Sequence, residues 1–154
     1  MQLLQEVYLT LLLLRMQIAL LVIRSERMAK PTLVVVDDEI EMAGFVAEVA
    51  EVVGFQVRAV TSVQQLRKTL ESASPDVIVI DIFMPDIDGF ELIGELAERD
   101  CSSGIILISG YGKTLLNGAA KIAEARGLKL LSVISKPFRL IELESVLKRA
   151  IGTG

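Results

Sequence analysis

A chain of 154 residues is long enough for one domain with a substantial core and too short for two ordinary ones. With 52% hydrophobic residues and a net charge of −4, it offers no basic surface for a phosphate backbone and no compositional sign of disorder, so nucleic acid is excluded as an expected direct partner. The single cysteine, Cys101, permits no intrachain disulfide, and with no histidine a zinc or haem site has no ligand set, so a metal would have to be held by oxygen. A reducing, cytoplasmic compartment fits, with Cys101 read as an ordinary small residue in a helix-to-strand connection.

Residues 1–30 differ from the rest. Leu3 to Ile23 is dense in leucine, and the basic Arg24, Arg27 and Lys30 follow before Pro31, so a boundary is predicted near Met28: 1–30 as an apolar helix or an over-extended start, 31–154 as the domain. A signal peptide does not fit, because Glu6 stands where basic residues should and no small-residue cleavage site follows. Three readings stand side by side. A membrane helix is marginal, since the stretch from Val7 to Ile23 is slightly short for a core of ~30 Å and carries Arg15 at its middle, at a cost of about 2.5 kcal/mol or more. A packing or dimerising helix is suggested by Leu4, Val7, Leu11, Leu14, Ile18 and Leu21, whose spacing alternates three and four over about three heptads, and allows a homodimer. The third reading, preferred here, is that translation begins at Met28; membrane contact of residues 1–27 is not favoured.

From Thr32 short apolar runs alternate with amphipathic stretches. The runs are LVVV (33–36), FQVRAV (55–60), VIVI (77–80), IILI (105–108) and LLSVI (130–134). Four of the five are apolar almost throughout, as expected of strands covered on both faces in a parallel sheet. Helical patterns lie at 39–53, 63–72, 89–99, 114–126 and 139–151, and five βα units in sequence imply an α/β, doubly wound, five-stranded parallel sheet. Gly54 and Gly127 stand where helix C-caps belong, while Ser62 with Gln65 and Asp88 with Glu91 have capping-box spacing.

In such a fold the functional edge lies at the carboxyl ends of the strands. Asp37, Asp38 and Glu39 follow the first run, Asp81 the third, Ser109 the fourth, and Ser135 with Lys136 the fifth. Carboxylates gathered at one edge repel one another unless a cation sits among them, and Mg²⁺ with oxygen ligands is the natural occupant. The lysine and the hydroxyl point to a phosphoryl group as the remaining guest. Singly, each residue has an ordinary reading: acids suit helix N-termini, and lysines are usually solvated. What raises them is that four strand ends converge, each with a residue type the same reaction requires.

The segments VVVDDE, VIVIDIFMPDIDG, IILISG and SKPF together resemble the four motifs of response-regulator receiver domains of two-component signalling, over roughly residues 31–151. The resemblance implies a flavodoxin-like strand order 2-1-3-4-5. Residue by residue, it implies Asp81 as phosphoacceptor and Asp38 as direct Mg²⁺ ligand. Asp37 would act on the metal mainly through water, Phe83 would supply a carbonyl ligand, Ser109 a hydroxyl that follows the phosphoryl oxygen, and Lys136 its paired cation, before a cis bond to Pro137. It also implies a sensor histidine kinase or phosphotransfer protein upstream, an effector protein downstream, and a temporary switch instead of a turnover enzyme. An alternative is a docking module of the same fold that works without phosphorylation.

The chain departs from the family at Val133, where an aromatic switch residue commonly stands, and in a longer interval from Ser109 to Lys136, which suggests an extended fourth helix or following loop. That variant resembles receivers coupled to cyclic-di-GMP phosphodiesterase domains. Rival chemistries fit poorly. A P-loop around Gly112, Lys113 and Thr114 would need its first glycine at Leu107, inside a strand, and the Walker B-like VIVID precedes it. A haloacid-dehalogenase-like phosphatase would need an aspartate where Phe83 stands.

Overall fold

The computed structural model describes residues 1–152; the side chains of Arg27 and Met28, and the last two residues of the expected 31–154 unit, lie outside the described set. The chain falls into two units, residues 1–30 and the remainder from Pro31. In the first, α1 (Gln2–Met28) is a helix of 27 residues, about 40 Å long at the usual rise. Leu4, Val7, Leu11, Leu14, Ile18 and Leu21 are exposed, and so are Leu3, Leu9, Leu12, Leu13, Leu20 and Val22, so the apolar surface runs round the helix instead of along one face.

The second unit begins with β1 (Thr32–Val36), α2 (Ile40–Val53), β2 (Gln56–Val60), α3 (Val63–Ser72) and β3 (Val77–Asp81). It continues through the two-residue strands β4 (Phe83–Met84) and β5 (Ile87–Asp88), then α4 (Gly89–Glu98), β6 (Gly104–Ser109), α5 (Lys113–Ala125), β7 (Lys129–Ser135) and α6 (Leu140–Gly152). The main sheet is parallel, in the order β2-β1-β3-β6-β7, which is the expected order once the antiparallel β4–β5 hairpin is set apart.

Alternate residues of the apolar runs enter two different cores. Val34, Val36, Ile78, Ile80, Ile105 and Leu107 pack with Leu66, Leu92, Leu96 and Leu116 of α3, α4 and α5. Leu33, Val35, Val79, Ile106 and Ile108 pack on the other face with Val46 and Ala50 of α2 and Leu143 and Leu147 of α6. Both faces are therefore covered, which is why the central strands read as unbroken apolar runs. β2 is an edge strand, and its Gln56, Arg58 and Ala59 are exposed.

The helix ends follow their sequence signals in part; Gly127, for one, stands one residue past Arg126, the C-cap of α5. Gly54 closes α2 at φ 123°, where a side chain would be strained. Ser62 Oγ accepts from Gln65 N at 3.2 Å, but the Gln65 side chain accepts from Thr61 N at 2.9 Å, one residue before the cap. Asp88 Oδ1 accepts from Phe90 N at 2.9 Å and so caps α4. In β7 the register with β6 slips between Ile105 and Ile106, which pair with Leu130 and Ser132, leaving Leu131 as an extra residue. The Leu131 side chain lies over Gly104, where an added Cβ would come within 2.4 Å of Leu131 Cδ1. Part of the long Ser109–Lys136 interval is thus a bulge inside the strand.

Candidate functional site

Three parallel neighbours in the sheet end at nearly the same level, so their next residues meet. Asp37 follows β1, and its backbone is held by Asp37 N donating to Val60 O at 3.2 Å. Asp81 is the last residue of β3, opposite Ile108, whose carbonyl accepts from Ile82 N at 2.9 Å. Ser109 ends β6, and its carbonyl accepts from Lys136 N at 2.7 Å, fixing where the lysine leaves the sheet; the Lys136–Pro137 bond is cis, as expected.

The side chains converge as the strand ends do. Asp37, Asp38 and Asp81 each offer a carboxylate oxygen within 4.8 Å of the others. Lys136 Nζ bridges two of them, donating to Asp37 Oδ2 at 3.0 Å and to Asp81 Oδ2 at 3.1 Å. Asp37 and Asp81 are buried, at 2% and 4% exposure, whereas Asp38 is exposed. Three carboxylates against one ammonium leave a local charge of two negatives, which a hard divalent cation would neutralise; the donor set therefore fits Mg²⁺.

The remaining oxygens are also engaged. Asp81 Oδ1 accepts from Phe83 N at 3.1 Å, and Asp37 Oδ1 from Glu39 N at 2.9 Å. Burial pushes the Asp81 carboxyl up to about 6; the Phe83 N–H draws it down, the Asp37 charge raises it further, and Lys136 lowers it. Burial by itself would lower the Lys136 ammonium, but the hydrogen bond to Asp37 and the charges of Asp81 and Asp37 hold it above its ordinary value.

Ser109 is brought to the same edge, 1% exposed, but its Oγ accepts from Tyr111 N at 3.1 Å instead of joining the lysine network. Tyr111 is a residue that strand-end reasoning passes over. Its ring stacks on that of Phe83, with centroids 4.0 Å apart and planes 27° apart. The one sequence signal for it is the pair of flanking glycines, Gly110 and Gly112, on either side of an aromatic.

Comparisons with known proteins bear on the family and the fold. The family model described as response regulator receiver domain matches residues 33–148. The chain is 28% identical over 120 residues to the chemotaxis protein CheY of Listeria monocytogenes, covering 77% of this chain and 96% of that protein. It is 29% identical over 123 residues to the C4-dicarboxylate transport transcriptional regulatory protein DctD of Pseudomonas aeruginosa, covering 80% of this chain but only 26% of that longer regulator's length. Among solved structures, a response regulator from Colwellia psychrerythraea superposes with a TM-score of 0.71 at 28% identity, covering 82% of this chain and all of that one. With the strand order, the acidic edge and a family match across most of its length all in agreement, the chain belongs to the response regulator receiver domain family.

Proposed function

We propose that Asp81 accepts a phosphoryl group from a sensor histidine kinase or phosphotransfer protein, and that residues 31–154 pass the change of shape to an effector protein in the cytoplasm. The observation that carries this is the cluster of three carboxylates at one sheet edge, two of them bridged by Lys136, with Asp81 buried and held from two sides. An Asp81 oxygen attacks phosphorus, the bond from phosphorus to the donor's oxygen or nitrogen breaks, and the donor leaves with the electron pair. Asp37, Asp38, the Asp81 carboxylate and the Phe83 carbonyl would hold Mg²⁺, which when bound offsets charge on the phosphoryl oxygens. Lys136, already between Asp37 and Asp81, supplies a second positive charge, and the Ser109 hydroxyl can donate to a phosphoryl oxygen. The product is an acyl phosphate, so the domain works as a timed switch.

The test is incubation with acetyl phosphate and Mg²⁺. The wild-type chain is expected to gain one hydroxylamine-labile phosphoryl group and Asp81→Asn none. Labile phosphate retained on Asp81→Asn would assign the acceptor elsewhere, and no gain by the wild type would leave a docking module that works without phosphorylation.

A further inference from the structure

Two exposed rings, Phe83 in the short strand β4 and Tyr111 in the loop after β6, are each tied by a backbone hydrogen bond to a side chain that phosphorylation would change. Phe83 N donates to Asp81 Oδ1 at 3.1 Å, and Tyr111 N donates to Ser109 Oγ at 3.1 Å. The rings meet above these ties, with centroids 4.0 Å apart, although they are 49% and 60% exposed. Val133, where the family commonly carries its aromatic switch, is a half-exposed aliphatic side chain that can form neither a ring stack nor a hydroxyl hydrogen bond.

We propose that the Phe83–Tyr111 stack, and not position 133, is the element that carries the state of Asp81 to the surface, closed in the resting domain and opened by phosphorylation. This rests on the phosphoacceptor reading above. When an Asp81 oxygen bonds to phosphorus and the P–O bond to acetate breaks, acetate leaving with the electron pair, the carboxylate loses the charge that made it a strong acceptor for Phe83 N–H. When the Ser109 hydroxyl turns to donate to a phosphoryl oxygen, it leaves Tyr111 N–H. One event therefore weakens both ties, and a stack held from two separate segments loses its alignment when either segment moves.

The loop after β6 is built to permit this. Gly112 sits at φ 54°, a left-handed conformation that a side chain resists, and a Cβ there would meet nothing within 4 Å. Gly112 is also the N-cap of α5 and offers no side-chain cap, so only the backbone, through Leu116 N donating to Gly112 O at 3.4 Å, closes the first turn.

The chain has two tyrosines, Tyr8 and Tyr111, so Tyr8→Phe leaves Tyr111 as the sole tyrosine of the full chain. Its fluorescence anisotropy is read before and after acetyl phosphate with Mg²⁺, and the phosphoryl gain is read by intact mass on the same sample. A fall in Tyr111 anisotropy that tracks the mass gain is expected, with no fall in Asp81→Asn. Phe83→Leu is expected to start at the low value before any donor is added, and Val133→Ala to keep the full response. Mass gain with unchanged Tyr111 anisotropy, or a response abolished by Val133→Ala, overturns the inference alone. A chain that gains no phosphoryl mass overturns the phosphoacceptor reading, and this inference with it.

Discussion

Asp81 carries a conflict between burial and charge that sets two measurable properties. Its folded value of about 6 lies above the ordinary carboxylate value of 3.8, so the folded state binds the proton more tightly than the unfolded one. The stability this contributes is fully present below the unfolded value and is lost as pH rises through the folded one, an upper figure of about 3 kcal/mol between pH 4 and pH 7. In metal-free buffer Asp81→Asn is therefore expected to be more stable than wild type at pH 7, with the advantage shrinking toward pH 4. Urea denaturation of both at pH 4.5 and pH 7 checks this, and a constant difference would refute it. The neighbouring acids divide by position: Asp38 offers an oxygen to the cluster, whereas Glu39 is the exposed N-cap residue of α2 and lies outside it. Asp38→Ala is expected to weaken Mg²⁺ binding by about tenfold or more, at least 1.4 kcal/mol, and Glu39→Ala far less. Equal calorimetric Mg²⁺ titrations of the two variants would remove Asp38 from the ligand set.

Two glycines on different elements should respond oppositely to the same change. A Cβ at Gly89, the first residue of α4, would lie 2.5 Å from Ile82 O and 2.9 Å from Ile82 Cα, backbone atoms that cannot swing aside. Gly89→Ala is expected to cost about 1–3 kcal/mol, and to disturb Phe83, which follows Ile82. A Cβ at Gly44, inside α2, would meet nothing within 4 Å, so Gly44→Ala is expected to stabilise by about 0.5–1 kcal/mol through helix propensity. Denaturant midpoints of both variants decide, and the same sign in both would show that local space is not what governs them. The same contrast between local and distant causes explains what the sequence discloses. VIVI and IILI are legible as central strands because both of their faces are packed, and strand ends are legible as a site because a parallel sheet brings them to one edge. β4 and β5 are two residues each, too short to show a period, and the Leu131 bulge appears in sequence only as extra length. The bridge from Lys136 to Asp37 joins residues 99 apart, and the Phe83–Tyr111 stack joins the short strand β4 to the loop after β6; neither has a local pattern to betray it.

At the scale of the whole molecule, every residue of the acidic edge and all five long strands lie after Pro31, and the unit from Pro31 has its own two cores. Residues 1–30 contribute a separate helix whose span Gln2–Glu26 is long and apolar enough to cross a membrane, with apolar side chains exposed all round. An apolar surface of this extent is the kind that lipid or a second copy of the chain covers, which makes a prediction for the full chain. A chain starting at Met28 is expected to unfold cooperatively in urea, to stay monomeric, and to take phosphate from acetyl phosphate as the full chain does. The full chain is expected to self-associate or to sediment with lipid vesicles, and vesicle flotation beside size-exclusion in mild detergent tells these two apart. A doubly wound sheet with helices on both faces closes its own core and does not require another helix. Loss of cooperative unfolding in the shortened chain would show that α1 is integral to the fold, and the division at residue 30 would then be wrong.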